Sequence, residues 1–239
     1  MATKSRVTVV AHRGDPYRAT ENTLPSIRSA LTAGADAVEV DVRITRDGEP
    51  VLLHDPTLKR LWGHDRQVDE LTTAEVRALT GGGVPLLREV LAETFAARLV
   101  IDLPSPSPAV ARRVVETVRQ DGSAERVCWT GDPAALRAVR AADGSVEIAL
   151  TWKRTAPIRA TLLRDLRPRL LNYRFGLLNE RTVREARERG YRVGGWTVDS
   201  PRVMRRLLGL GVDVITTNRI GTLRRLAATP GRPAGAREG

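Results

Sequence analysis

Eight short runs rich in β-branched residues, each followed by a segment with helical spacing or a helical excursion, constrain this chain more than any other feature. The runs fall at residues 6–11, 37–43, 98–104, 126–130, 146–151, 169–173, 191–198 and 213–217. Leu24, Ile27 and Leu31 mark a first helix that ends at Gly34, with Asn22-Thr23 available as its cap and Pro25 in its first turn. Further helices are expected at 73–79, 85–95, 108–120, 133–141, 157–166, 178–189 and 201–210. Strands separated by helices pair in parallel through right-handed crossovers. Eight such units close on themselves more naturally than they extend an open sheet. An open doubly wound sheet is the alternative, but no G-x-G-x-x-G opens a helix here. The expectation is therefore an α/β fold, a (β/α)8 TIM barrel, and the 239 residues suit one such domain. Residues 1–228 would form it, with a short insertion of about 56–84 after the second strand. The tail at 229–239 lacks apolar residues to pack and is expected to be disordered.

The second strand carries the densest chemistry. In AVEVDVRITRDGEPVLLHD (37–55), valines alternate with Glu39, Asp41 and Arg43, so the two carboxylates project to one face. Asp47-Gly48 reads as a hairpin turn, because that pair tolerates positive φ. The chain then returns and brings His54-Asp55 beside the strand it left. Taken alone, the plainer reading is an amphipathic hairpin with a solvated acidic face.

The ends of the other strands change that balance. In a barrel, reactive groups gather where strands lead into the following helices. His12-Arg13 ends the first strand, Asp102 stands near the end of the third, Trp196-Thr197 lies on the seventh, and Thr217-Asn218 ends the eighth. Two of three histidines therefore share a rim with three carboxylates. Metal-assisted cleavage of an anionic ester suits this set. Glu39, Asp41 and Asp102 offer hard oxygen ligands, which select Mg²⁺ or Ca²⁺. Arg13 can present a planar fork to phosphate, and His12 and His54 can divide the proton transfers. His64 sits in the insertion and reads as a surface residue.

Charge and cysteine usage bound the setting. Thirty-nine basic against 28 acidic residues give a formal net charge of +11, which favours anionic ligands. The arginines are scattered over helices without interleaved aromatics, so no specific nucleic-acid partner is expected. No apolar run approaches the ~20 residues of a membrane span. A single cysteine, Cys128, excludes an internal disulfide and reads as a packed thiol. With no signal peptide in the N-terminal sequence, the expected compartment is the cytoplasm. Oligomeric state is not encoded in any recognisable pattern.

With these residues assembled, the sequence resembles the glycerophosphodiester phosphodiesterase family. The likeness rests on AHRG (11–14), ENT (21–23), EVDVRITRDGEPVLLHDPTL (39–58), VDELTTAEVRAL (68–79), GGWTVDS (194–200) and ITTN (215–218), and covers nearly the whole chain. The resemblance implies a divalent cation and hydrolysis of a glycerophosphodiester to glycerol 3-phosphate and an alcohol. It assigns His12 and His54 as the acid–base pair and Arg13 as a phosphate contact. Glu39 and Asp41 become metal ligands, and Glu21 a polar residue of the site, with Trp196 beside it. In that family a hydroxyl of the substrate's own glycerol attacks phosphorus first.

Two positions depart from the family pattern. Thr20 precedes Glu21-Asn22-Thr23 where the family has proline, and Asp102-Leu103-Pro104 stands where it has Glu-Leu-Lys. The usual lysine near the phosphate is thus replaced by Pro104. Lys153, directly after the fifth strand, is the expected replacement cation, with Arg174 as runner-up. A related lysophospholipid phosphodiesterase, or a noncatalytic barrel that binds phosphorylated ligands, are the alternatives that this loss keeps open.

Overall fold

The computed structural model describes residues 6–228. The expected tail at 229–239 lies outside them.

Strands β1 (Thr8–His12), β2 (Ala37–Ile44), β4 (Arg98–Leu103), β5 (Val127–Gly131), β6 (Glu147–Trp152), β7 (Leu170–Arg174), β8 (Arg192–Trp196) and β9 (Val214–Thr217) form a parallel sheet. Its order is β1-β9-β8-β7-β6-β5-β4-β2, and a β1–β2 pairing closes it. The closed eight-stranded barrel is the predicted (β/α)8 architecture. A short strand β3 (Pro50–Leu52) returns antiparallel on β2 as the second arm of the hairpin.

Alternation along each strand sorts side chains between two cores. Val38, Val40 and Val42 of β2 face outward and are fully buried beneath the helices. Inward positions make a smaller cluster of Val10, Ala37, Cys128, Ala149, Leu170 and Val214, with Val100 against it. These side chains, most of them small, line the interior cavity that opens at the rim. Register then sets the rim: His12 lies opposite Glu39, and Asp41 opposite Asp102. Side chains distant in sequence thereby meet on adjacent strands.

Helices α1 (Leu24–Thr32), α2 (Lys59–Trp62), α3 (Thr73–Thr80), α4 (Leu87–Glu93), α5 (Pro108–Gln120), α6 (Pro133–Ala142), α7 (Ala160–Leu166), α8 (Glu180–Glu188), α9 (Pro201–Leu210) and α10 (Ile220–Ala228) complete the units. Thr23, not Asn22, caps α1, accepting from the Ser26 amide with Pro25 in the first turn. Helix α7 starts three residues later than expected, because 153–159 form a loop. Helix α10 follows the eighth run, where the sequence pattern sets no helix bounds. Its first turn contains Gly221, which weakens a local helical signal; burial of Ile220 and Leu223 supplies the stability instead. The insertion packs on its own cluster of Val51, Leu53, Leu58, Val68, Leu71, Val76, Val84 and Leu86. It therefore braces the hairpin that carries His54.

Candidate active site

Strand β1 ends abruptly. Arg13 adopts φ 56° and Gly14 φ 85°, and a Cβ at Gly14 would lie 2.3 Å from Ser26 Oγ. A left-handed non-glycine residue costs on the order of 1–3 kcal/mol and persists only when its surroundings over-determine it. Here they do. The Arg13 amide donates to Glu39 Oε2 at 3.0 Å, Nη1 donates to Glu21 Oε1 at 2.9 Å, and Nε lies 3.1 Å from Asp41 Oδ2. Nη2 is left without a protein partner among the described residues.

The turn also fixes His12. Its Nδ1 is 3.0 Å from Asn218 Oδ1, while Asn218 Nδ2 donates to Asp199 Oδ2 at 2.7 Å. A carboxylate can only accept, so it commits the amide orientation, and Asn218 Oδ1 must accept from His12 Nδ1–H. Nε2 is then the atom with a free lone pair. Burial, and next the Arg13 charge, hold this imidazole below the ordinary histidine value of 6.5, which keeps it neutral and able to take a proton.

His54 is anchored by its neighbour. Its Nδ1 is 2.7 Å from Asp55 Oδ1, and Arg43 holds the His54 carbonyl with two donors at 2.9 and 2.6 Å. Asp55 is paired with Arg60, which in turn donates to Glu21 at 2.6 Å. Burial would raise the Asp55 carboxyl, but its hydrogen bonds from Arg60 and His54 outweigh this and hold it low. Nε2 again points away from the anchoring group.

Glu39, Asp41 and Asp102 form the third part. Each offers an oxygen within 4.8 Å of the others. Glu39 and Asp41 are buried, and Asn22 locks Asp41 by donating from Nδ2 at 2.8 Å while accepting the Asp41 amide. Asp102 Oδ1 is buried with no hydrogen-bond partner. Burial, then repulsion from Asp41 and Asp102, pushes Glu39 well above the usual carboxylate range, and burial with the Asp41 charge lifts Asp102 to about 7. Three hard oxygen donors that repel one another, one of them orphaned, fit a divalent cation.

One cavity of about 960 Å³ takes in His12, Arg13, Glu39, Asp41, His54, Asp102, Pro104, Lys153 and Trp196. Lys153 continues the inward phase of Glu147, Ala149 and Thr151, which also line it. Trp196 is positioned by an Nε1 bond to the Asn172 carbonyl at 3.1 Å. Glu21 does not line the cavity; it stands behind Arg13 and Arg60. Arg174 and His64 do not line it either; His64 is half-buried in the insertion between exposed neighbours.

The glycerophosphoryl diester phosphodiesterase family profile matches residues 12–222. The chain belongs to that family. This phosphodiesterase is 30% identical over 247 residues to "Probable glycerophosphodiester phosphodiesterase 2" of Mycobacterium tuberculosis, spanning 95% of this chain and 93% of that one. It is 27% identical over 233 residues to a glycerophosphodiester phosphodiesterase of Caldanaerobacter subterraneus, with 90% and 95% covered. The barrel superposes on a phosphodiesterase of Oleispira antarctica, solved with its product sn-glycerol-3-phosphate, with a TM-score of 0.86. That likeness spans 94% of this chain and 98% of the other at 21% identity, and speaks to the fold. Family membership makes the chain a phosphoric diester hydrolase acting on glycerophosphodiesters, and sets the noncatalytic barrel aside. No helix among the described residues is long and apolar enough to cross a membrane.

Several supporting residues carry little signal in the sequence. Asn22 reads as a helix cap, yet its φ of 57° turns it toward Asp41. Arg43 shares the Glu39–Asp41 phase, and that period was the available signal. Asp199 and Arg60 carry no local signal, since each acts through a contact made only by folding.

Proposed function

We propose that the phosphodiesterase cleaves glycerophosphodiesters to glycerol 3-phosphate and an alcohol, using His12 as base, His54 as acid and a divalent cation on Glu39, Asp41 and Asp102. The observation that carries this reading is the pair of anchored imidazoles, each with Nε2 free, on a cavity shared with the carboxylate trio. When bound, the cation supplies Lewis-acid neutralisation of phosphate charge. Arg13 Nη2 is the free donor for a phosphate oxygen.

His12 Nε2 removes the proton from the attacking hydroxyl, which in this family belongs to the substrate's own glycerol. As the new P–O bond forms, the P–O bond to the alcohol breaks, and His54 Nε2–H protonates the departing oxygen. Water, giving its proton to His54 Nε2, then adds to phosphorus as the P–O bond formed in the first step breaks, and His12 Nε2–H protonates the released glycerol oxygen, which restores both rings and completes hydrolysis.

Lys153 stands in for the lysine missing at Pro104. Losing a donor to the charged transition state costs about 10²–10³-fold, so Lys153→Ala lowers kcat/KM and Pro104→Lys in that background restores part of it. A lysophospholipid substrate would want an apolar rim. Among the described residues the exposed large hydrophobic side chains are Tyr17 and Phe95, and Phe95 sits before β4, at the opposite end of the barrel. A release assay on glycerophosphodiesters of choline, ethanolamine, glycerol and inositol tests the proposal. Turnover of at least one, sensitive to chelator, is expected; release from none overturns it.

A further inference from the structure

The wall of the mouth across from His12 and Arg13 is built from unpaired cations. In the closed order, β6 stands four strands from β1 in either direction, directly across the barrel. The loop after β6 contributes Lys153, Arg154 and Arg159 to the cavity. Trp152 Nε1 donates to the Ala156 carbonyl at 2.9 Å, closing that loop into a turn. The Arg154 guanidinium lies over the same indole, 5.9 Å from its centroid, which holds its charge at the mouth.

These cations differ from the chain's other arginines. Arg28 pairs with Glu93, Arg77 with Glu89, and Arg88 with Glu49. Lys153, Arg154 and Arg159 have no carboxylate partner among the described residues. The acidic group on that side of the mouth is already engaged: Asp132 caps α6, accepting from the Ala134 amide at 2.7 Å. A wall of uncompensated positive charge repels a quaternary ammonium group and attracts an anion.

We propose that this phosphodiesterase selects glycerophosphodiesters whose alcohol carries a second phosphate, held by Arg154 and Arg159 across the mouth from the reacting phosphodiester. Lys153, in the inward phase of β6, serves the reacting phosphate; Arg154 and Arg159 lie further along the loop and serve the distal one. The inference rests on the hydrolytic reading above and adds substrate class to it.

A matched pair of substrates tests it: glycerophosphoglycerol, and the same diester bearing a phosphate on the distal hydroxyl. The wild-type enzyme is expected to favour the phosphorylated diester by about tenfold or more in kcat/KM. The double variant Arg154→Ala/Arg159→Ala brings that ratio close to one. Arg112→Ala/Arg119→Ala on the exposed face of α5 removes the same charge outside the cavity and leaves the ratio high. Equal kcat/KM in the wild type, or an equal fall in the α5 variant, overturns the proposal. Calorimetric binding of both diesters to the His12→Ala protein, with and without the mouth substitutions, reads the same preference without turnover. Equal affinities there overturn the proposal, whereas a preserved preference with no hydrolysis by wild type leaves it standing and removes the hydrolytic reading.

Discussion

At the N-terminal mouth of the barrel, Arg98 on β4 donates to Glu147 on β6, and Arg192 reaches Thr8. At the C-terminal mouth, inward positions of β2 and β4 set Glu39, Asp41 and Asp102 against one another, with the Arg13 guanidinium against Asp41. One end pairs its charges; the other accumulates them. Burying like charges without compensation is expensive, so nothing about folding stability favours the upper arrangement. Sites that bind and react are where such costs are retained.

The largest expected contrast between the two mouths is catalytic. His12→Ala and His54→Ala should each lose about 10²–10⁴-fold in kcat, read as alcohol release from a glycerophosphodiester, while His64→Ala is nearly silent. Near-normal turnover in either rim variant would reduce that ring to a packing element.

The second contrast is thermodynamic and applies to metal-free protein. Asp102 is raised to about 7 in the folded state, against ~3.9 for an unfolded aspartate. The folded state therefore holds the extra proton between those values, and stability falls as pH rises through that window. Removing the charge should help where the charge is present: Asp102→Asn raises Tm relative to wild type at pH 8, and does so little at pH 4. A Tm difference that does not change with pH would mean the upper carboxylates are not in conflict.

The smallest effect belongs to the lower mouth. Arg98 is half exposed, and exposed pairs contribute about 0–1 kcal/mol. Arg98→Met combined with Glu147→Gln should stay within about 1 kcal/mol in denaturant unfolding and keep kcat. A large loss of turnover would erase the distinction between the two ends.

How far the sequence reveals all this depends on whether the signal is local. Strand phase is local, so Glu39 and Asp41 are legible as neighbours from valine alternation alone. The barrel follows from repetition of that signal along the chain. Asn218 is visible as a strand-end residue, but its hold on the His12 tautomer requires β9 to pair with β1, 206 positions apart in sequence. Arg13's left-handed backbone is illegible for the same reason: Glu39, Glu21 and Asp41 enforce it only once the barrel has closed. The Lys153 loop is partly legible, since strand phase points it inward, but the turn closed by Trp152 and Ala156 shows only in three dimensions. Helix α10 is the converse case, where burial of Ile220 and Leu223 overrides a weak local propensity.

On the proposed reading, the upper carboxylates conflict because they are built around a cation. Turnover of a glycerophosphodiester by the wild-type enzyme, before and after exhaustive chelation, tests this most directly. Loss of activity on chelation and its return with added Mg²⁺ or Ca²⁺ is the predicted result; full turnover in the chelated protein would contradict it.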